Sequence, residues 1–314
     1  MSVANMAQLA NWTVGNALGV YYQHAAHRLP LADSSLPALT TDRPLHFFRG
    51  MLHFRPAPPF LNTLQTSGFR PLVFSFPTSG EGNLLRQWRE NTADVIRHFI
   101  GRPEALGEKP IFCGHSAGGL TVYALAAMAD GGDLVAIRNE CPGLENVAVV
   151  AMERLAERLS RDALFVTIAA PHHGVRLTRI GRCVNRFLIE PRLPLLFSGI
   201  TKSNLEAVHR RFRRRPEDVI DANLVSSLGT PFYHGGSVSR LSSLVVQQGM
   251  RVFSPLLDHE CVNDGIVPMD AAVLEGPAQV FAPFDHLKLV EMPEAALTLA
   301  DLIRQVDPFA EKLS

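Results

Sequence analysis

The chain has 314 residues, 46% of them apolar and 19% charged, so it carries ample material for a folded core and is not a disordered chain. Thirty basic residues balance thirty acidic ones, which removes any global electrostatic case for nucleic-acid binding. At this length the expectation is either two domains or one large α/β domain with an insertion.

Residues 6–27 at the N-terminus read as a helix rich in apolar and aromatic side chains, including Leu9, Trp12, Leu18, Tyr21 and Tyr22. Its two readings are packing on the body of the protein and contact with a membrane surface or a second copy. No Lys or Arg precedes Arg28, which argues against a secretory signal and predicts a cytoplasmic protein. No run of eighteen apolar residues occurs, so no membrane-spanning helix is expected. The four cysteines, Cys113, Cys141, Cys183 and Cys261, match no metal or redox spacing; reduced thiols are expected, with a Cys183–Cys261 pair as the open alternative.

Residues 45–49 (LHFFR) predict a short strand ending at Gly50, followed by a Pro-rich loop and a helix from about Pro59, with Gly68 at its C-terminal end. Residues 72–76 (LVFSF) predict a buried strand. From Asn83 to Ile100 the apolar residues fall on one helical stripe. Residues 110–113 (PIFC) predict a strand, 118–128 an almost wholly apolar and therefore buried helix, 144–160 an amphipathic helix, and 164–169 (LFVTIA) another strand. Strand and helix alternate, so parallel crossovers and an α/β class follow. The pattern lapses between about 172 and 250, in an Arg- and Pro-rich stretch. It resumes with strands near 251–257 and 278–282 and a final helix from Pro293. The expected organisation is an N-terminal helical extension (1–44), a core formed by 45–174 and 249–314, and an inserted helical cap or lid (175–248).

The segment PIFCGHSAGGL (110–120) holds Gly114-His115-Ser116-Ala117-Gly118, a G-x-S-x-G pattern. Chance supplies roughly 0.1 such matches in a chain of this length, so context decides. Here a strand runs into the motif and an apolar helix leaves it, which is the context a nucleophile elbow requires. Small residues two positions either side of the serine allow strand and helix to approach closely. The new helix N-terminus favours developing negative charge.

With these residues the chain resembles the α/β-hydrolase fold family, in particular its lipase-like serine esterases, including the GPI-inositol-deacylase-like group. TIAAPHHG (167–174) looks like the strand and turn after the nucleophile unit. VNDGIVP (262–268) looks like the acid-bearing turn, and FDHLKL (284–289) like the motif with the catalytic histidine. The resemblance implies a mostly parallel sheet with helices on both faces and the chain order Ser, Asp, His.

It also implies roles. Ser116 is the nucleophile, and His286 is the base that a serine hydroxyl needs, with His173 the minor rival. Asp264, 22 residues before His286, orients the imidazole, with Asp258 and Asp285 as alternatives. The oxyanion donors are the backbone N–H groups of Ala117 and Met51, although Arg49 stands where such lipases carry a histidine. His115 is expected to point away from the reacting face, and His172 and His173 to line a pocket.

Residues 209–215 (HRRFRRR) hold five arginines, read either as a solvated helix face or as a site for anionic headgroups or a phosphate-bearing substrate. Leu195, Leu196, Phe197, Leu224 and Phe232 are candidates for an apolar acyl pocket. The implied reaction is hydrolysis of a carboxylic ester with an apolar acyl group; a thioesterase, an acyltransferase or a non-catalytic binding protein on the same fold are the alternatives. No cofactor or metal is implied. The expected partners are a small-molecule or lipid ester, with peripheral membrane contact open and no nucleic acid.

Overall fold

A computed structural model describes residues 43–50, 56–74, 84–176, 179, 183, 199–226, 267, 269–282, 284 and 286–307. Six strands form one sheet: β1 (Arg43–Phe48), β2 (Phe69–Phe74), β3 (Ile111–His115), β4 (Leu164–Ile168), β5 (Ala222–Ser226) and β6 (Ala278–Ala282). Their spatial order is β2-β1-β3-β4-β5-β6, and every neighbouring pair is parallel. The winding therefore reverses between β1 and β3. That crevice, at the carboxyl ends of the strands, is where an open α/β sheet places its ligands.

Parallel strands need crossovers that cover both faces, and alternate side chains divide the core in two. Leu45, Phe47, Ile111, Cys113, Leu164 and Val166 point to one side, where α1 (Pro58–Thr66) and the last helix (Pro293–Val306) pack. Phe48, Phe112 and Phe165 point to the other, against α2 (Leu84–Gly101), α3 (Ala117–Ala129) and α5 (Val149–Asp162). Between them in the chain, α4 (Leu134–Glu140) is capped by Asp133, whose carboxylate accepts from Ala136 N at 3.0 Å. Helix α3 is buried from Ala117 to Met128, as its apolar composition predicts: strands β3 and β4 lie beneath it, and α2 and α5 flank it.

The elements up to residue 169 fall where the sequence predicts them, with shifted ends. The helix expected at 144–160 runs from Val149 to Asp162, and α4 is an additional helix. The larger difference lies in the stretch assigned to a cap. Residues 222–226 form β5, a central strand between β4 and β6, so the core extends into 175–248. Helix α6 (Lys202–Phe212) belongs to the core as well: Phe212 stacks on Tyr123 of α3 with ring centroids 5.9 Å apart, and its carbonyl accepts from Asp133 N. A single turn, α7 (Pro216–Val219), leads into β5. Leu224, a candidate for the acyl pocket, is fully buried in the sheet's own core instead. The short α8 (Met269–Ala272) precedes β6, and Pro293–Val306 is α9.

The N-terminal extension, the strand expected at 251–257, Cys261, and the pocket candidates Leu195, Leu196, Phe197 and Phe232 lie outside the described residues. Among the described residues, Cys113 and Cys141 are buried free thiols and Cys183 is an exposed one. Burial pushes the Cys141 thiol up to about 12 and the Cys113 thiol up as well. No helix among the described residues is long and apolar enough to cross a membrane.

Candidate active site

Ser116 sits between β3 and α3 with φ 54° and ψ −128°, a backbone conformation that L-residues rarely adopt. Surrounding hydrogen bonds hold it there. Its N–H donates to the Ile168 carbonyl of β4 at 2.9 Å, and its own carbonyl accepts from Gly119 N at 2.9 Å. The next residue along β4, Ala169, is also at positive φ (45°), with its N–H donating to Leu224 of β5. Two strained non-glycine residues thus stand side by side at the carboxyl edge of adjacent strands.

The motif glycines are explained by contact. A Cβ on Gly114 would stand 2.6 Å from Gly119 Cα, and one on Gly118 would stand 2.7 Å from the Arg49 carbonyl and still closer to that of Phe48. Strand β3, helix α3 and the end of β1 approach more closely than any side chain allows. Ser116 itself is half-buried and Ala117 is buried.

The loop leaving β1 reaches the same point. A Cβ on Gly50 would lie 2.8 Å from Ser116 Cβ and 3.3 Å from its Oγ. Arg49, which replaces the expected histidine, is buried and donates from Nε to the Phe74 carbonyl at 3.1 Å, tying the end of β1 to β2. Met51, the second oxyanion candidate, lies just outside the described residues.

His286 is brought to the elbow from the segment after β6. It is 2% exposed, and its ring centroid is 4.5 Å from that of His115, the residue preceding Ser116. The His115 Nε2–H donates to the His286 carbonyl at 2.9 Å. The approach is anchored on both sides: Ser226 Oγ donates to the Phe284 carbonyl at 2.6 Å, and the Val290 carbonyl accepts from Ala57 N at 2.9 Å. His115 is thus packed directly against the candidate base. Burial, and then the neighbouring His286, hold the His115 imidazole well below its ordinary range, so it stays neutral.

Asp264, Asp258 and Asp285 all lie outside the described residues. Residues 271–279, a few positions beyond Asp264 in the chain, are firmly held. Asn223 Nδ2 donates to the Ala272 carbonyl at 2.8 Å and to Gln279 Oε1 at 2.9 Å, while its Oδ1 accepts from Thr167. His172 is fully buried against Thr167 Oγ1 at 3.1 Å, and His173 donates to the Val273 carbonyl at 3.0 Å. His173 thus braces the 271–273 segment, to which its backbone N–H also donates at the Ala271 carbonyl, while His172 is held against β4. Glu217 Oε1 lies 3.8 Å from His173 Nε2.

The arginine run also resolves into structure. Arg211 and Arg89 both pair with the buried Glu140. Arg213 pairs with Asp133 at 3.6 Å, Arg214 with Asp130 at 2.6 Å and Arg215 with Asp218 at 2.9 Å. Four of the five cations thus have carboxylate partners within the chain. Among the described residues no group of three or more His, Cys, Asp or Glu is arranged to hold a metal ion.

No family model and no curated protein matches the sequence. Solved structures do resemble it. A Bacillus licheniformis lipase in its mature form is 12% identical, with a TM-score of 0.48 over 88% of this chain and 96% of that one. Esterase B from Lactobacillus rhamnosis is 10% identical, with a TM-score of 0.44 over 99% and 98% of the two chains. An esterase domain from Rhodothermus marinus is 17% identical, with a TM-score of 0.37 over 85% and 88%. The chain's own geometry carries the assignment: a parallel sheet covered on both faces, a strained serine at the strand-to-helix turn beside its switch point, and a late histidine packed against that turn make this an α/β-hydrolase fold.

Proposed function

We propose that the protein is a serine hydrolase that cleaves carboxylic esters with an apolar acyl group through an acyl-Ser116 intermediate. The observation that carries this reading is the strained Ser116 at the switch point with His286 packed against its neighbour. Strain that costs stability persists where the surroundings enforce it, and here it lifts a hydroxyl to the sheet edge. His286 takes the Ser116 proton as the oxygen attacks the ester carbonyl. It then returns that proton to the departing alcohol, and water repeats the sequence to release the acid. Asp264 orients the imidazole. The N–H groups of Ala117, at the start of α3, and of Met51, next to Gly50, receive the oxyanion. The close approach of Gly50, the residue before Met51, to Ser116 supports the second donor.

Labelling with a fluorophosphonate probe tests the nucleophile, and p-nitrophenyl esters of increasing acyl length test the substrate class. The parent protein is expected to label and to turn over the esters, and Ser116→Ala to lose both, with turnover falling by on the order of 10³-fold or more. Ester hydrolysis that survives in Ser116→Ala would refute the mechanism.

A further inference from the structure

His115 fills the variable position of the elbow motif, and its surroundings are specific. The residue is 2% exposed. Its Nε2 faces a carbonyl oxygen, which only accepts, so the proton resides on Nε2. Its Nδ1 is buried and meets no partner among the described residues, which fits this single neutral tautomer. The carbonyl it holds belongs to His286, 171 residues away in the chain. The two rings lie 4.5 Å apart at 40°. One side chain therefore both clamps the backbone of the candidate base and forms the floor under its ring.

We infer that His115 is a positioning residue for His286, fixing the base beside Ser116 through the Nε2–H···O=C bond and the ring contact. The inference rests on the reading of Ser116 and His286 as nucleophile and base. The rigid elbow supplies one end of this link, because His115 is the last residue of β3 and adjoins the strained serine. The turn carrying His286 supplies the other. A proton transfer from Ser116 needs the imidazole held within a fraction of an ångström, and a misplacement of about 1 Å costs on the order of 10²-fold in rate. Neutrality matters too: His286 becomes a cation in the transition state, and a second cation in the ring beneath would oppose it. Burial keeps His115 uncharged.

Two substitutions test this. Gln can present its amide N–H near the position of Nε2, whereas Leu fills similar space and donates nothing. With p-nitrophenyl butyrate as substrate, His115→Leu is expected to lower kcat about 10- to 100-fold with KM within about threefold of the parent. His115→Gln is expected to recover kcat to within about threefold of the parent, a rescue that loss of packing alone would not follow. Amide hydrogen exchange in the turn carrying His286 should speed up in the Leu variant and stay at the parent rate in the Gln variant. A parental kcat in His115→Leu, a change confined to KM, or Gln as impaired as Leu would each overturn the inference. Turnover lost in Ser116→Ala but intact in His115→Leu sinks this inference alone. Turnover intact in Ser116→Ala sinks the hydrolase reading and this inference with it.

Discussion

Two short segments of the sequence draw attention for their composition, and the fold treats them in opposite ways. Around Ser116 the glycines are consumed by close contact while the serine is held strained and half-buried at the sheet edge. Around Arg213 the charges are consumed by Glu140, Asp133, Asp130 and Asp218, so the segment ties α6 to α4 and the end of α3. A conspicuous residue pattern therefore points to chemistry only where the fold leaves its reactive group uncommitted. Exposed ion pairs of the second kind are individually worth little.

The contrast is tested most severely at Gly118. A methyl group there meets the backbone carbonyls of Phe48 and Arg49, which cannot swing aside as a side chain would. Gly118→Ala is expected to lose about 3 kcal/mol or more of stability. Thermal unfolding should show this as a fall in Tm of roughly 6–12 °C. A Tm within about 2 °C of the parent would mean the elbow is less tightly packed than the geometry requires.

The next effect comes from the first residue of the basic run. His209 is half-buried with its ring 5.0 Å from that of Tyr123, and desolvation, then His173 and Arg210, lower its pKa to about 4. Between about pH 6.5 and 4 the unfolded chain binds a proton that the folded chain refuses. The stabilisation is therefore complete above about 6.5 and is lost as the pH falls toward 4. The expected loss from this residue is about 2–3 kcal/mol. His46, His115 and His172 are shifted in the same direction, so the difference between parent and His209→Phe isolates the effect. Between pH 7 and pH 4.5 the Tm of His209→Phe should fall less than that of the parent; equal falls would sink the assignment.

The smallest effect belongs to Arg213. Its side chain is 75% exposed and its carboxylate partner is 3.6 Å away. Arg213→Ala should change stability by no more than about 0.5 kcal/mol, read as a Tm shift of a degree or two. A larger loss would show that this ion pair holds α6 in place.

How far the sequence could be read depends on the range of each interaction. Gly114 marks the elbow because its steric demand, against Gly118 and Gly119, is local in the chain, whereas the demand on Gly118 comes from the distant carbonyls of Phe48 and Arg49. The strands up to 168 announce themselves as short apolar runs. Strand β5 does not: ANLVS is five residues long, carries Asn and Ser, and sits in an Arg- and Pro-rich stretch, and its place is fixed by pairing with β4 and β6. Its Asn223 is spent on Ala272, Gln279 and Thr167, a role visible only once three separate segments meet. The role of His115 is hidden for the same reason, since its partner lies 171 residues on. The pairing of the arginines with Glu140, Asp130 and Asp133 is equally non-local. Ser116 and His286 are candidates from local pattern and resemblance, and the structure packs His286 against His115, the residue before the serine.

The buried thiol of Cys113 gives the molecule a built-in gauge of sheet opening. It lies within β3, one strand residue before Gly114, fully shielded and with its ionisation suppressed by burial. An alkylating reagent meets Cys183 in the native fold but reaches Cys113 only when the central strands part. The rate at which that second sulfur is captured therefore times the breathing of the scaffold beneath the serine, independently of any substrate.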